Sequence, residues 1–234
     1  MRKFTWISLR KLKSGELSTT LRLVHPGQTN LLNRYRILGE IQQNSTKTFS
    51  KFFVTTLLLV LILWTNGSTH EITFTLDKVE VSVPNGIISF TTSLFFFFSV
   101  LYLQNLFVVM STKIRMGGEL SDHVFSLNAF DLINENNDLA LSAPIAIDNR
   151  IKDPLLIRKL LGILYSLGII LALWPITIVF FFLVSHQLDL FSACGISWID
   201  KLSAGGGLTL LGISAVYFLF FNLPLPLSLK KPQT

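Results

Sequence analysis

Four histidines and one cysteine are the side chains here best suited to metal or nucleophilic chemistry. A metal site needs several such ligands gathered at close spacing. His25, His70, His123 and His186 lie on four different segments, and no pair has ligand spacing. Cys194 has no second cysteine for an intrachain disulfide, and it fits a small apolar filler near a membrane edge better than a redox group. Gly205–Gly206–Gly207 opens an apolar run instead of following a strand, so it does not read as a phosphate loop. It suits close helix approach, with a gate hinge as the sharper alternative. No G-x-S-x-G elbow occurs. Asp131 and Glu135, spaced i, i+4, fit a solvated helix face. These patterns supply no catalytic residue, no metal ligand set and no cofactor site, and they predict a non-enzymatic protein.

What must position these residues is a membrane. Hydrophobic residues make up 50% of the 234 residues and charged residues 15%, against about 25% charged in a soluble domain. The apolar residues, 20 Phe among them, are clustered. Four runs approach the roughly 20 residues that cross ~30 Å of hydrocarbon. They cover about 49–65, 86–110, 160–184 and 202–223. The first begins after some 50 polar and basic residues, so no signal peptide is expected. Trp174–Pro175 is expected to kink the third. The fold class expected is an all-α polytopic membrane protein with four transmembrane helices.

The formal charge of +6 acts as a sidedness signal. Residues 1–51 hold Arg2, Lys3, Arg10, Lys11, Lys13, Arg22, Arg34, Arg36, Lys47 and Lys51. Lys113, Arg115, Arg150, Lys152, Arg158 and Lys159 lie between runs two and three, and Lys230 and Lys231 in the tail. The other two loops hold Lys78 and Lys201 alone. Both termini are therefore expected in the cytosol of a bacterial inner membrane. The charge is then spent on orientation and headgroup contact, and direct nucleic-acid binding by this chain is not expected.

The sequence divides into a basic cytosolic arm (1–50), a transmembrane pair (51–110), a cytosolic loop with short helices (111–159), a second transmembrane pair (160–223) and a cytosolic tail (224–234). Apart from Lys51 at the cytosolic edge of the first, the apolar runs hold no Asp, Glu, Lys, Arg or His, which disfavours a coupled transporter or voltage sensor. Their polar residues, Thr55, Thr56, Thr91, Thr92, Ser93, Gln104, Asn105 and Asn222, suit interhelical hydrogen bonds or, alternatively, the lining of an oligomeric pore.

Between the first two runs Ile72, Phe74 and Leu76 alternate with polar residues, and Val79, Val81 and Val83 alternate in the complementary phase. A reversal at Asp77–Lys78 pairs Leu76 with Val79, Phe74 with Val81 and Ile72 with Val83, with all six on one face of an outward-facing hairpin. Such a hairpin is marginal alone. Its apolar face is expected against the bilayer surface, the other outer loop (185–201, with Trp198 as interfacial anchor) or a neighbouring subunit, where it serves as an oligomer contact or outer sensing face.

In the arm, Leu31, Tyr35 and Leu38 share a helical face after a possible cap at Asn30, with Arg34 inside the stripe. The inner loop has Ser121 as a helix cap and Val124, Phe125, Leu127, Phe130, Leu132 and Ile133 as an apolar set. Asp122, Asp131, Glu135 and Asp138 make it acidic, and Pro144 and Pro154 break it. Basic arm and acidic loop are expected to form one cytosolic layer. Arg34, Tyr35, Arg36, Asp122, Phe125, Phe130 and Asp131 are its candidate docking residues for a cytosolic protein partner.

The stretch LDKVEVSVPNGIISFTTSLFFFFSVLYLQNLFVVM, residues 76–110, resembles the membrane module of bacterial pentapeptide-repeat membrane proteins, in which a short strand with a V-x-V/I-P step precedes a long apolar helix. The likeness covers about 50–184; the repeats themselves do not occur here, so it carries no activity over. The four-span arrangement with cytosolic termini also resembles the membrane subunits of the Kiwa anti-phage defence systems. That resemblance implies a multimeric inner-membrane component that responds to phage attachment and holds a soluble DNA-binding partner on its cytosolic face. The function expected is a sensor or scaffold that forms homo-oligomers and recruits a cytosolic partner. The alternative is a small oligomeric channel or toxic pore.

Overall fold

Between Leu31 and Asn66 nothing stops a helix. The segment has no proline and one glycine, and its polar stretch from Gln42 to Lys47 is permissive for helix. In the computed structural model, which describes residues 5–26, 31–66, 71–76, 79–120, 155–193 and 195–227, Leu31–Asn66 is one helix, α2. The arm and the first apolar run are thus continuous.

A strand, β1 (Thr5–Ser8), and a helix, α1 (Leu9–Val24), precede it. Ser8 caps α1, its hydroxyl accepting from the Lys11 N–H at 3.4 Å. The strands β2 (Glu71–Leu76) and β3 (Val79–Pro84) follow α2, then α3 (Asn85–Leu120), α4 (Leu155–Ser192), α5 (Trp198–Asn222) and β4 (Pro224–Leu227). The chain is mostly helical. Four helices are long and apolar enough to cross a membrane, over Leu31–Asn66, Asn85–Lys113, Leu173–Ser192 and Trp198–Asn222. Helices satisfy their own backbone hydrogen bonds, which the hydrocarbon demands. The chain is a multi-pass membrane protein.

One boundary differs from the sequence reading. α4 covers the whole of 160–184, continues through Pro175 and extends to Ser192. The outer loop placed at 185–201 shrinks to residues 193–197, because His186, Gln187 and Asp189 lower hydropathy without stopping a helix. The chain turns at Gly195, whose φ of 85° lies in the left-handed region that glycine adopts at no steric cost. His186 and Asp189 therefore lie on the crossing helix, and Asp200 and Lys201 on the first turn of α5. Most of the inner loop, with Asp122, Phe125, Phe130 and Asp131, lies outside the described residues, as does Asn30.

The chain divides into two compact units. The first comprises 1–46, 104–173 and 220–234. Its apolar core joins Leu21 of α1, Leu31, Tyr35 and Leu38 of α2, and Val109 and Met116 of α3. Thr112 Oγ1 donates to Ser14 Oγ at 2.9 Å, fixing α1 on α3. Asn222 Nδ2 donates to Gln104 Oε1 at 3.1 Å, the interhelical bond such amides suit in a membrane protein. β1 and β4 pair antiparallel, Trp6 opposite Pro226 and Ser8 opposite Pro224. Alternate prolines share one edge of β4, so the ladder to β1 is left to Leu225 and Leu227.

The second unit comprises 47–103 and 174–219. Its core gathers Leu63, Ile72, Ile88, Phe96, Val100, Val179, Leu183 and Leu211. Phe52 packs on Phe95, Phe98 and Tyr102 with ring centroids 5.3–5.9 Å apart, and Phe96 on Phe180 at 6.0 Å. In a membrane such contacts act through close packing, since lipid tails are as apolar as the side chains they replace.

Candidate functional site

β2 and β3 pair in the register that the alternation specifies: Ile72 with Val83, Phe74 with Val81, and Leu76 with Val79. Residues directly opposite share a face. Ile72 is 2% exposed, and Val83 packs with it on the core beside Leu63 of α2 and Ile88 of α3. Val81 on the same face is 44% exposed. The side chains of Phe74, Leu76 and Val79 fall outside the described residues. So the end of this face nearest the helices is covered by the chain itself, and cover from another subunit is not needed there. On the opposite, polar face Ser82 Oγ donates to Glu71.

Beneath the hairpin lies a buried polar junction built by α3, α4 and α5. Its residues are Asn85, Ser89 and Ser93 of α3, His186 and Gln187 of α4, and Asp200 of α5. All but His186 are fully or almost fully buried. A helix start exposes backbone N–H groups that need acceptors. At the start of α3, the Gly86 N–H donates to Asp200 Oδ1 at 2.8 Å. The Asp200 N–H donates to Ser197 Oγ at 3.3 Å, one half of a capping box over Ser197-Trp198-Ile199-Asp200. In the usual box the acid reaches back to its own cap residue; here Oδ1 serves a second helix. The carboxylate thus sits at two helix N-termini, where negative charge is favoured.

His186 Nε2 lies 3.4 Å from Asn85 Oδ1, and its ring stacks on Phe182, centroids 5.9 Å apart. Gln187 Nε2 donates to the Ser89 carbonyl at 3.0 Å and to Ser93 Oγ at 2.9 Å. Neighbouring hydroxyls on α3 are satisfied within their own helix: Thr91, Thr92, Ser93 and Ser99 each donate to the carbonyl four residues back. That local bond lets a hydroxyl sit in an apolar setting.

Two glycines make the junction possible. A methyl on Gly86 would stand 2.6 Å from Asp200 Cα. A methyl on Gly207 would collide with the Gln187 amide. Gly206 lies against the Phe90 ring, where an added Cβ would meet it at 3.1 Å. The triple glycine is thus a close-approach surface, about two turns inside α5.

Chemically this arrangement holds helices together. Its one imidazole faces an amide and a phenyl ring. Among the described residues no group of three His, Cys, Asp or Glu side chains is placed to hold a metal ion.

The candidate docking residues separate. Tyr35 is 4% exposed, with Lys113 Nζ 4.9 Å from its ring centroid, and Arg34 is 6% exposed. Both contribute to the chain's own packing. Arg36 faces outward and pairs with Glu40 at 3.2 Å. The acidic candidates, with Phe125 and Phe130, lie outside the described residues.

The sequence reading passed over Asn85, Ser89, Gln187 and Asp200. One signal was present: the Ser-x-x-Asp spacing of a capping box at 197–200. Nothing in the linear sequence joins Gln187 to Ser89 or Asp200 to Gly86. No protein-family model matches this chain, and no curated protein or solved structure matches it.

Proposed function

We propose that this chain is a non-enzymatic subunit of a bacterial inner membrane, with both termini cytosolic, that assembles with copies of itself, senses at its outer face and recruits a cytosolic protein. The observation that carries this reading is the seat of the hairpin. Ile72 and Val83 pack on Leu63 and Ile88, so a β element between two crossing helices is built into the helix core. A ligand or partner that displaces such a hairpin also works on α2 and α3. The exposed remainder of its apolar face, Val81 foremost, is the surface offered to another subunit or to the stimulus. Arg36 and the acidic loop at Asp122 and Asp131 are the proposed docking side in the cytosol. A role in antiviral defence rests on the resemblance in span arrangement alone.

The alternative, an oligomeric channel or toxic pore, needs the hydroxyls of α2 and α3 on an outward face. Thr56, Thr92 and Ser93 are buried in the chain's own packing, Thr55 and Thr91 only in part, and all five bond within their helices. That arrangement favours the scaffold reading.

The test is purification from bacterial membranes in mild detergent, followed by native mass spectrometry. The expected species is an oligomer carrying a second, soluble polypeptide. A lone monomer without a partner sinks the proposal, and ion flux through liposomes holding the purified protein favours the pore.

A further inference from the structure

Tryptophan is usually well buried, and three tryptophans of the second unit are not. Trp64 is 71% exposed, Trp174 59% and Trp198 72%. Trp64 stands at the end of α2, just before the hairpin, and Trp198 is the first residue of α5. The Gly86–Asp200 bond ties the start of α3, which follows that hairpin, to the start of α5. Trp64 and Trp198 therefore mark one end of the unit. Trp174 stands within α4, 18 residues before Ser192, the last helical residue before the short connection to α5. Helical rise puts it ~27 Å from that end.

We infer that these three indoles sit in the two headgroup layers of a phospholipid bilayer, Trp64 and Trp198 in one and Trp174 in the other. An indole has an apolar body and one N–H donor, and the headgroup boundary offers both environments at once. The separation matches the ~30 Å hydrocarbon thickness, a coincidence that contact with another protein subunit does not require. The large exposed side chains between the two levels include Leu57, Leu58 and Leu61 on α2 and Ile178 and Phe181 on α4, with Thr177 and Ser185 of α4 as small polar exceptions and Asp189 close to the Trp198 end. The apolar ones face acyl chains. The junction of Asn85, His186, Gln187 and Asp200 then lies toward the headgroups of one leaflet, where charged and polar groups cost less than at the bilayer centre.

The experiment uses the full chain in nanodiscs of phosphatidylcholine and phosphatidylglycerol whose acyl chains are brominated either near the headgroup or near the terminal methyl. Bromine quenches indole fluorescence at contact range. Three variants each keep one of Trp64, Trp174 and Trp198 and carry Phe at the other tryptophans. The expected result is a fluorescence loss about twice as large with headgroup-proximal bromine for every one of the three. A tryptophan quenched best by bromine near the chain end, or by neither lipid, overturns the assignment. If a Phe set fails to fold, Tyr replacements preserve the interfacial preference. The unsubstituted protein must itself show stronger quenching by the headgroup-proximal lipid.

Discussion

Gly86 donates its backbone N–H to the Asp200 carboxylate at 2.8 Å, across 114 residues of sequence. The bond is nearly sealed from solvent, since Asp200 is 4% exposed. Through it a side chain on the first turn of α5 supplies the acceptor at the start of α3. Removing the carboxylate leaves a buried N–H without its acceptor, which costs about 1–3 kcal/mol, and removes a favourable charge at a helix N-terminus. Asp200→Ala is therefore expected to lower thermal stability in detergent, and Asp200→Asn to lower it less, since an acceptor oxygen remains. An unchanged melting temperature for Asp200→Ala would show that the bond is not formed in the membrane protein.

Gly207 and Gly212 provide a matched comparison on α5. A Cβ on Gly207 runs into the Gln187 amide, whereas one on Gly212 meets nothing within 4 Å. Alanine relieves the backbone-entropy cost of glycine in a helix, worth roughly 0.5–1 kcal/mol. Gly212→Ala is thus expected to be neutral or slightly stabilising, and Gly207→Ala destabilising. The added Gln187→Ala should recover part of the Gly207→Ala loss, because it removes the colliding amide. Additive effects of the two changes in a double-mutant cycle would refute this coupling.

Two residues on one face of the hairpin should respond in opposite ways. Ile72 is buried in the core and Val81 is largely exposed. Truncating a buried Ile to Ala typically costs about 2–5 kcal/mol in a soluble core, while exposed substitutions stay within about 0.5 kcal/mol. Ile72→Ala is expected to weaken folding of the monomer. Val81→Ser should leave the monomer intact and, if the hairpin is the oligomer contact, reduce the oligomer seen by native mass spectrometry. An Ile72→Ala protein with full stability would place the hairpin off the helix core.

The hairpin was legible because its signal is local: strict alternation fixes which residues share a face, and the reversal at 77–78 fixes the register. The four crossings were legible because length and hydropathy are properties of single segments. Their ends were not. The α4 terminus hides behind His186, Gln187 and Asp189, whose polarity imitates a loop; the real stop is Gly195, with Ser197 and Asp200 opening the next helix. The polar junction was illegible for a different reason. Ser89, Gln187 and Gly207 acquire meaning only when three helices approach closely enough for one amide to reach another backbone. Tyr35, a candidate docking residue by its place on a helical face, is illegible as a packed one because the Lys113 over its ring comes from another helix.

Cys194 tests the sidedness of the whole arrangement. It lies outside the described residues, but its sequence neighbours Ala193 and Gly195 belong to the connection between α4 and α5. It is also the sole cysteine in the chain, so it needs no engineered background. All but two of the 20 basic residues, Lys78 and Lys201, fall on the side proposed to be cytosolic, and under that proposal the 193–197 connection faces outward. A membrane-impermeant maleimide added to intact, outer-membrane-permeabilised cells should label Cys194. A variant with Cys194→Ser and Thr234→Cys should react only after the inner membrane is opened. The reverse pattern would invert the topology, and with it the assignment of the β2–β3 hairpin as the sensing face.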